Sequence, residues 1–256
     1  VGKDMALTVE HWRQRFTLQA EWTRDLRNHI YDRIDISSIK SILDVGCGTG
    51  ALLAELSNLG QGRVLGLDLN LEFLQFALQN NPGIDLVHAD AHCVPFPGSG
   101  FDLTLCHFLL LWVKRPAEVL KEMMRVTHPG GSVVAFAEPD YGGRIDHPPE
   151  FSILGEWQHR SLQRQGADPR IGRKLMSLFT RAGLKDVETG VLGGQWKARS
   201  QDAERFSEWR MIVDDLNGLL PDETINVFRQ LEEDAWERNE RVLFVPTFYA
   251  IGRVIK

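Results

Sequence analysis

One segment constrains this chain more than any other. Ser41-Ile42-Leu43-Asp44-Val45 has the character of a short buried strand and ends abruptly in Gly46-Cys47-Gly48-Thr49-Gly50; Leu52, Leu53, Leu56 and Leu59 then recur at helical spacing, with Gly60 as the expected stop. The glycines let the backbone turn tightly and let a ligand approach the main chain. The alternation then repeats. Arg63–Asp68 reads as a second strand, Leu71–Asn80 as a helix broken by Asn81-Pro82-Gly83, 84–89 as a third strand and 101–106 as a fourth. Pro116–Val126 reads as a helix with proline in its first turn, and the turn His128-Pro129-Gly130-Gly131 leads into a fifth strand over 132–137. Strands alternating with helices predict an α/β fold with a largely parallel sheet covered on both faces. Ligands of such sheets sit beyond the carboxyl ends of the strands, where strand order reverses.

The rest of the chain is less regular. Residues 9–34 carry Trp12, Phe16, Ala20, Trp22, Leu26, Ile30 and Ile34 at helical spacing, with Thr8 as a cap, and predict one helix. Residues 142–170 are polar, with a helix-like stretch over 151–164. A helix over 172–182 stopped by Gly183, and a strand over 185–192, resume the alternation. Two helices are expected within 201–240, separated by Asn217-Gly218 and Pro221. The last run, 242–254, is strand-like with Pro246 inside it, which predicts a bulge or an edge position. The expectation is a single domain over 1–256, with its core in about 37–141, 172–199 and 241–256. Residues 1–36, 142–171 and 200–240 are expected to be helical cover segments that choose the substrate.

Composition removes several function classes. With 29 Lys and Arg against 35 Asp and Glu, the formal charge of −6 argues against a surface that coats nucleic acid. Three cysteines with no CxxC pair form neither a disulfide framework nor a zinc-ligand spacing, so no metal site is expected and a reducing, cytoplasmic setting is. The longest apolar stretch, Leu103 to Val113, is interrupted by His107 and falls short of the ~20 residues that span a bilayer, so no membrane partner is expected. No apolar signal core follows the N-terminus, and Val1 to Asp4, ahead of Met5, read as an extraneous addition. Nothing in the sequence reads out an oligomeric state.

Gly46-x-Gly48-x-x-Ala51 also satisfies the dinucleotide fingerprint, so the loop alone does not choose its ligand. The carboxylates do. Asp44 precedes the loop, Asp68 ends the second strand and Asp90 follows the third, so all three should face one crevice. A pyrophosphate beside Asp44 would be poorly served; a ligand with cationic groups and a ribose but no phosphate fits better, and S-adenosylmethionine has that make-up. Here the sequence resembles the class I S-adenosylmethionine-dependent methyltransferases, in the broad small-molecule group whose first motif reads LDVGCGTG, as residues 43–50 do. Ala89-Asp90-Ala91-His92, Phe101-Asp102 and His128-Pro129-Gly130-Gly131 agree with it, and the resemblance covers roughly residues 40–140.

The resemblance implies a three-layer Rossmann-like methyltransferase fold whose seven-stranded sheet has an antiparallel last strand. It implies that Asp68 accepts from the ribose hydroxyls and Asp90 from the adenine amino group, with an N–H of Ala91 or His92 reaching a ring nitrogen. It places Gly46, Cys47, Gly48, Gly50 and Leu69 along the cofactor, Asp44 toward the loop or the ligand ammonium, and His107 in contact with the cofactor. In the first helix Arg15, Gln19, Thr23 and Arg27 form one polar stripe. It is either a solvated face or a lid over the methionyl carboxylate, in which case Gln19 and Arg27 bind cofactor and Trp22 packs on it.

The sulfonium already activates the methyl group, so the expected reaction is in-line transfer to an O, N or C atom of a small molecule, with S-adenosylhomocysteine as product. A general base is optional, the candidates being His107, Glu138, Asp140 and Tyr141. Turn or cap roles are equally open to Glu138 and Asp140. Cys47, Cys93 and Cys106 read as packing residues rather than nucleophiles. Trp196, Trp209 and Trp236 with Arg170, Arg173 and Arg210 could build a pocket for an aromatic or anionic substrate. A non-catalytic S-adenosylmethionine-binding module and, more remotely, a nicotinamide-dependent oxidoreductase are the alternatives.

Overall fold

The computed structural model describes residues 8–59, 62–194, 202–216 and 219–255, with only the backbone over 202–208. In chain order these form α1 (Val9–Trp22), α2 (Arg24–Ile34), β1 (Ser41–Val45), α3 (Leu53–Leu59), β2 (Arg63–Asp68), α4 (Leu71–Asn80), β3 (Asp85–His88), β4 (Phe101–Cys106) and α5 (Pro116–Val126). They continue as β5 (Thr127–Pro139), β6 (Ile145–His147), α6 (Ser152–Arg164), α7 (Leu175–Ala182), β7 (Lys185–Val191), α8 (Asp202–Leu216), α9 (Asp222–Glu237), β8 (Val242–Phe244) and β9 (Thr247–Arg253).

Seven strands form one sheet in the order β3-β2-β1-β4-β5-β9-β7. β1 runs parallel to β2 and β4, β2 to β3 and β4 to β5, whereas β9 is antiparallel to both β5 and β7. Strand order therefore reverses between β1 and β4, and the crevice of this sheet opens beyond their carboxyl ends. Side chains alternate across it as the pleat requires. Leu43, Val45, Val133 and Ala135 face a core closed by α5 and α7, while Ile42, Leu103, Leu105, Val134 and Phe136 face a core closed by α2, α3 and α4. A third core joins α6, α8 and α9 around Phe151, Leu154, Trp209, Ile212, Leu216 and Ala235. β6 pairs antiparallel with β8, so the insertion after β5 is stitched to the segment that returns from α9. Among the described residues no helix is long and apolar enough to cross a membrane.

Local chemistry explains most of the boundaries. Thr8 caps α1 through the His11 amide, Asn70 caps α4 through Glu72 and Phe73, and Gly183 ends α7 in the left-handed region at φ 106°. The continuous helix expected over 9–34 is instead two helices meeting at Thr23. Two side chains take the carbonyls there: Thr23 Oγ1 donates to Gln19 O at 2.7 Å and Arg27 Nη1 to Ala20 O at 2.5 Å. Back-bonding of this kind bends a helix. The expected terminal strand is likewise two pieces, β8 and β9, broken at Val245-Pro246, and β5 takes in the His128–Gly131 segment expected to be a turn. Gly60 and Asn217-Gly218, expected at breaks, lie outside the described residues.

Candidate cofactor and acceptor site

The crevice is floored by the loop after β1. Gly46 and Cys47 donate backbone N–H groups to Leu67 O at 2.7 and 3.0 Å, which seats the loop on the end of β2. Gly46 (φ 78°) and Gly48 (φ 54°) occupy the left-handed region, and both are crowded where a Cβ would stand. A Cβ on Gly46 would lie 2.7 Å from Leu109 Cδ1, and one on Gly48 would lie 2.8 Å from Phe16 Cε2. Only glycine meets both demands. Phe16 comes from α1 and packs edge-on against Phe73 of α4 at 5.6 Å, so α1 lies across the loop.

Two carboxylates flank this floor. Asp68 Oδ2 accepts from Gly48 N and Oδ1 from Asn70 N, each at 2.8 Å. Burial raises the Asp68 carboxyl, although those amides oppose it. Asp44 is almost completely buried, and burial followed by repulsion from Asp68 pushes its carboxyl up to about 7. Among the described residues Asp44 Oδ1 and the buried Thr49 Oγ1 have no hydrogen-bond partner. Buried polar atoms are normally paired, so two orphans at one loop mark a place for a ligand.

Farther along, Asp90 Oδ1 accepts from His92 N at 2.8 Å and pairs with His92 Nδ1 at 2.7 Å, which holds this carboxyl below its usual range. Ala91 is buried beside them. Leu69, next to Asp68, exposes 65% of its surface at the rim. Gly50, also in the left-handed region, abuts Asn81 and Ala77 rather than the mouth of the crevice.

His107 Nε2 meets Thr23 Oγ1 at 2.8 Å, and burial, with Arg27 nearby, depresses its imidazole to about 3. The native ring is neutral, whereas an unfolded ring gains its proton below the ordinary value of 6.5. The unfolded state thus binds more protons between about 6.5 and 3, and stability is lost as pH falls through that window. Between pH 7 and 5 the parent should lose up to about 2 kcal/mol that a His107→Gln variant keeps. Urea unfolding of both proteins at the two pH values checks this; equal losses would contradict a neutral native ring.

Glu138 and Asp140, named as possible bases with turn or cap roles equally open, are both hydrogen-bonded within the protein. Glu138 is fully buried, with Oε1 accepting from Leu109 N (3.0 Å) and Leu110 N (2.8 Å) and Oε2 from Leu111 N (3.1 Å). Burial raises it to about 8 against the pull of those amides. Asp140 accepts from Gly142 N at 3.0 Å and pairs in bidentate fashion with Arg173 at 2.5 and 2.8 Å. Arg27, expected on the cofactor, has every donor nitrogen committed: Nε and Nη2 to Glu55 at 2.9 and 2.6 Å, Nη1 to Ala20 O and Thr23 Oγ1. Trp22, expected to pack on the cofactor, is 43% exposed. Gln19 is buried on the same stripe. Tyr141 is half-buried where the chain leaves β5, near Arg15 and Asp215, and burial raises its phenol.

Burial raises the thiols of Cys47 and Cys106 well above their ordinary value, which leaves both unreactive at neutral pH. Cys93 is exposed. Of the expected aromatic and cationic pocket, Trp209 packs in the third core, Trp236 is half-buried on α9, Arg210 is exposed on α8 and Arg173 serves Asp140. Trp196 lies outside the described residues. Among the described residues no group of three or more His, Cys, Asp or Glu is disposed to hold a metal ion.

Phe16, Leu109 and Thr49 belong to the site and are not evident as such in the sequence. Thr49, inside the glycine loop, carried a signal; the two apolar residues read as ordinary core positions. One further polar chain ties α1 to α8, α6 and the segment after β5. Arg15 Nη2 lies 2.7 Å from Asp215 Oδ1, Gln158 Nε2 donates to Asp215 Oδ2 at 2.9 Å, and Gln158 Oε1 accepts from Arg144. Arg144 pairs with Asp146, which Arg241 reaches at 3.0 Å.

Comparison with known proteins bears on the family and the fold. Residues 43–135 match the family profile described as a methyltransferase domain. Demethylmenaquinone methyltransferase of Oceanobacillus iheyensis is 35% identical over 193 residues, 68% of this chain and 79% of the relative. The same-named protein of Renibacterium salmoninarum is 34% identical over 142 residues, 55% of this chain; the match spans 57% of that relative's length. In fold, a chain of the complex between the Haloferax volcanii Trm112 methyltransferase activator and a methyltransferase aligns at TM-score 0.61 and 16% identity, over 97% of this chain and 96% of that one. Phosphoethanolamine N-methyltransferase 2 of Haemonchus contortus, solved with S-adenosylhomocysteine, aligns at 0.62 and 14% identity, over 99% of this chain and 59% of that one.

Proposed function

Because this chain belongs to the class I S-adenosylmethionine-dependent methyltransferases, we propose that it transfers a methyl group from S-adenosylmethionine to an O, N or C atom of a small molecule by in-line displacement. The observation that carries this reading is the unpartnered Oδ1 of the buried Asp44 carboxyl, beside the glycine loop and with Asp68 opposite. An ammonium or sulfonium ligand supplies the cation this pair lacks, whereas a pyrophosphate would add a third negative group in a low-dielectric crevice. The relatives named for demethylmenaquinone support a small-molecule acceptor.

The residues fit the cofactor. Each Asp68 oxygen takes one backbone amide and keeps a second lone pair for a ribose hydroxyl. Asp90, with Oδ1 held by His92, keeps Oδ2 for the adenine amino group. Bound there, S-adenosylmethionine supplies a methyl already activated by its sulfonium, so the protein need not activate it. The chain's work is then to position the reactants and exclude water. Phe16 and Leu109 close on the loop glycines, Glu138 fixes the segment that carries Leu109, and Thr23 holds the His107 ring. Tyr141, where the chain leaves the carboxyl end of β5, remains as a polar group toward the acceptor. His107, held near 3, is too weak a base to take a proton at neutral pH.

Asp44 makes the reading testable. A cationic ligand prefers the ionised carboxylate, whose pKa in the free protein is about 7. Affinity for S-adenosylhomocysteine should fall up to about tenfold from pH 8 to pH 6, and Asp44→Asn should flatten that dependence. Calorimetric titration of both proteins at the two pH values measures it. Affinity that holds or rises toward pH 6 in the parent would refute the role given to Asp44.

A further inference from the structure

Beyond the glycine loop, an open cleft of about 480 Å³ lies between the segment leaving β5 and the surface of α6. Its wall includes Tyr141, Arg144, His159, Arg160 and Arg170, with Asp146 and Glu156 there as the partners of Arg144 and Arg160. Two glycines let arginines lie directly on the backbone here. A Cβ on Gly142 would stand 2.8 Å from Arg170 Nε and 3.0 Å from Arg173 Nη2, and one on Gly155 would stand 2.9 Å from Arg144 Cδ. Two guanidinium groups therefore converge over Gly142.

Their charges are unequally answered. Arg144 is paired with Asp146 and Arg173 with Asp140, while Arg160 meets Glu156 only at 3.6 Å with both side chains more than 60% exposed. Among the described residues the Arg170 guanidinium has no hydrogen-bond or ion-pair partner; only its backbone N–H is taken, by Asp168. His159 stands close enough to Arg170 for that charge, after burial, to lower its pKa, with Asp168 and Asp140 opposing. A planar cation, a ring donor and a second arginine around an open volume suit a carboxylate or phosphate, which a guanidinium can grip with two parallel bonds. Tyr141 lines this cleft and is also the residue at which the chain leaves the carboxyl end of β5 beside the crevice.

We propose that the methyl acceptor carries an anionic group, a carboxylate or a phosphate, and that Arg170 with His159 and Arg160 holds it in this cleft. The acceptor part of this statement rests on reading the neighbouring crevice as the methyl-transfer site; the anion site itself does not. Inorganic phosphate and benzoate serve as probes of the two sources. Each is titrated into the intact protein by calorimetry, with the His159 ring followed by proton NMR, and S-adenosylhomocysteine is titrated into the same samples.

At least one anion should bind in the millimolar range and raise the His159 pKa. Arg170→Gln should weaken that binding tenfold or more, Arg160→Gln by less, and Arg164→Gln, on the exposed end of α6, not at all. S-adenosylhomocysteine affinity should be the same in all four proteins. Phosphate binding alone identifies a phosphate-bearing acceptor, and benzoate binding alone a carboxylate. Anion binding unchanged in Arg170→Gln, or binding of neither probe, overturns the proposal even where S-adenosylhomocysteine binds normally. Anion binding lost in Arg170→Gln from a protein that never binds S-adenosylhomocysteine upholds the anion site and overturns the methyltransferase reading instead.

Discussion

Asp68→Ala is expected to weaken S-adenosylhomocysteine binding roughly 10- to 100-fold while leaving the protein folded. The charge-assisted pair of hydrogen bonds proposed to the ribose is lost, worth about 1.5–3 kcal/mol together. A second loss adds to the first, because Asp68 also accepts from Gly48 N at 2.8 Å and so holds the loop that floors the crevice. Asp68→Asn separates the two. It keeps one oxygen to accept from an amide but gives up the charge, and it should fall between alanine and the parent. Calorimetry with circular dichroism of the same samples reads both effects. Parental affinity in a folded alanine variant would remove Asp68 from the ribose site.

Glu138→Ala should produce the largest loss of stability, about 3–5 kcal/mol. Its buried carboxyl accepts from three consecutive amides, Leu109 to Leu111, which lose that acceptor once it is gone. Glu138→Gln retains an oxygen for two of them and turns an NH₂ toward the third, so it should cost about half as much. Because this segment presses Leu109 against Gly46, both variants should also bind S-adenosylhomocysteine more weakly. A methyl-transfer base would show the reverse pattern: unchanged stability and cofactor affinity with turnover lost. Urea unfolding of the variants decides between them, and an alanine variant as stable as the parent would refute the anchoring role.

How much of this was legible in the residues depends on how far each interaction reaches along the chain. Ser41–Val45, its glycine loop and the strands up to Cys106 follow local periodicity and turn chemistry, so the sheet was readable in order. The crevice followed too, since Asp44, Asp68 and Asp90 each stand at or just past a strand end. Features set by distant partners were hidden. The polar stripe of the single helix expected over 9–34 made Arg27 look like a ligand, yet Glu55, 28 residues on, takes its guanidinium. The break at Thr23 depends on side chains taking the carbonyls of Gln19 and Ala20, which no apolar spacing reveals. Glu138 resembled a base because it ends a strand; only the tertiary position of Leu109 to Leu111 shows what it holds. The pairing of β6 with β8 joins segments almost a hundred residues apart and left no local trace.

Buried Asp44 and half-buried Asp68 around the glycine loop should select an adenosyl ligand with a cationic tail over a dinucleotide. Titrating the intact chain with S-adenosylmethionine, S-adenosylhomocysteine and NAD in one calorimetric series tests it most directly. Both adenosyl ligands should bind in the micromolar range, and saturating NAD should neither bind at that level nor displace them. Micromolar binding of NAD, with neither adenosyl ligand bound, would contradict the account.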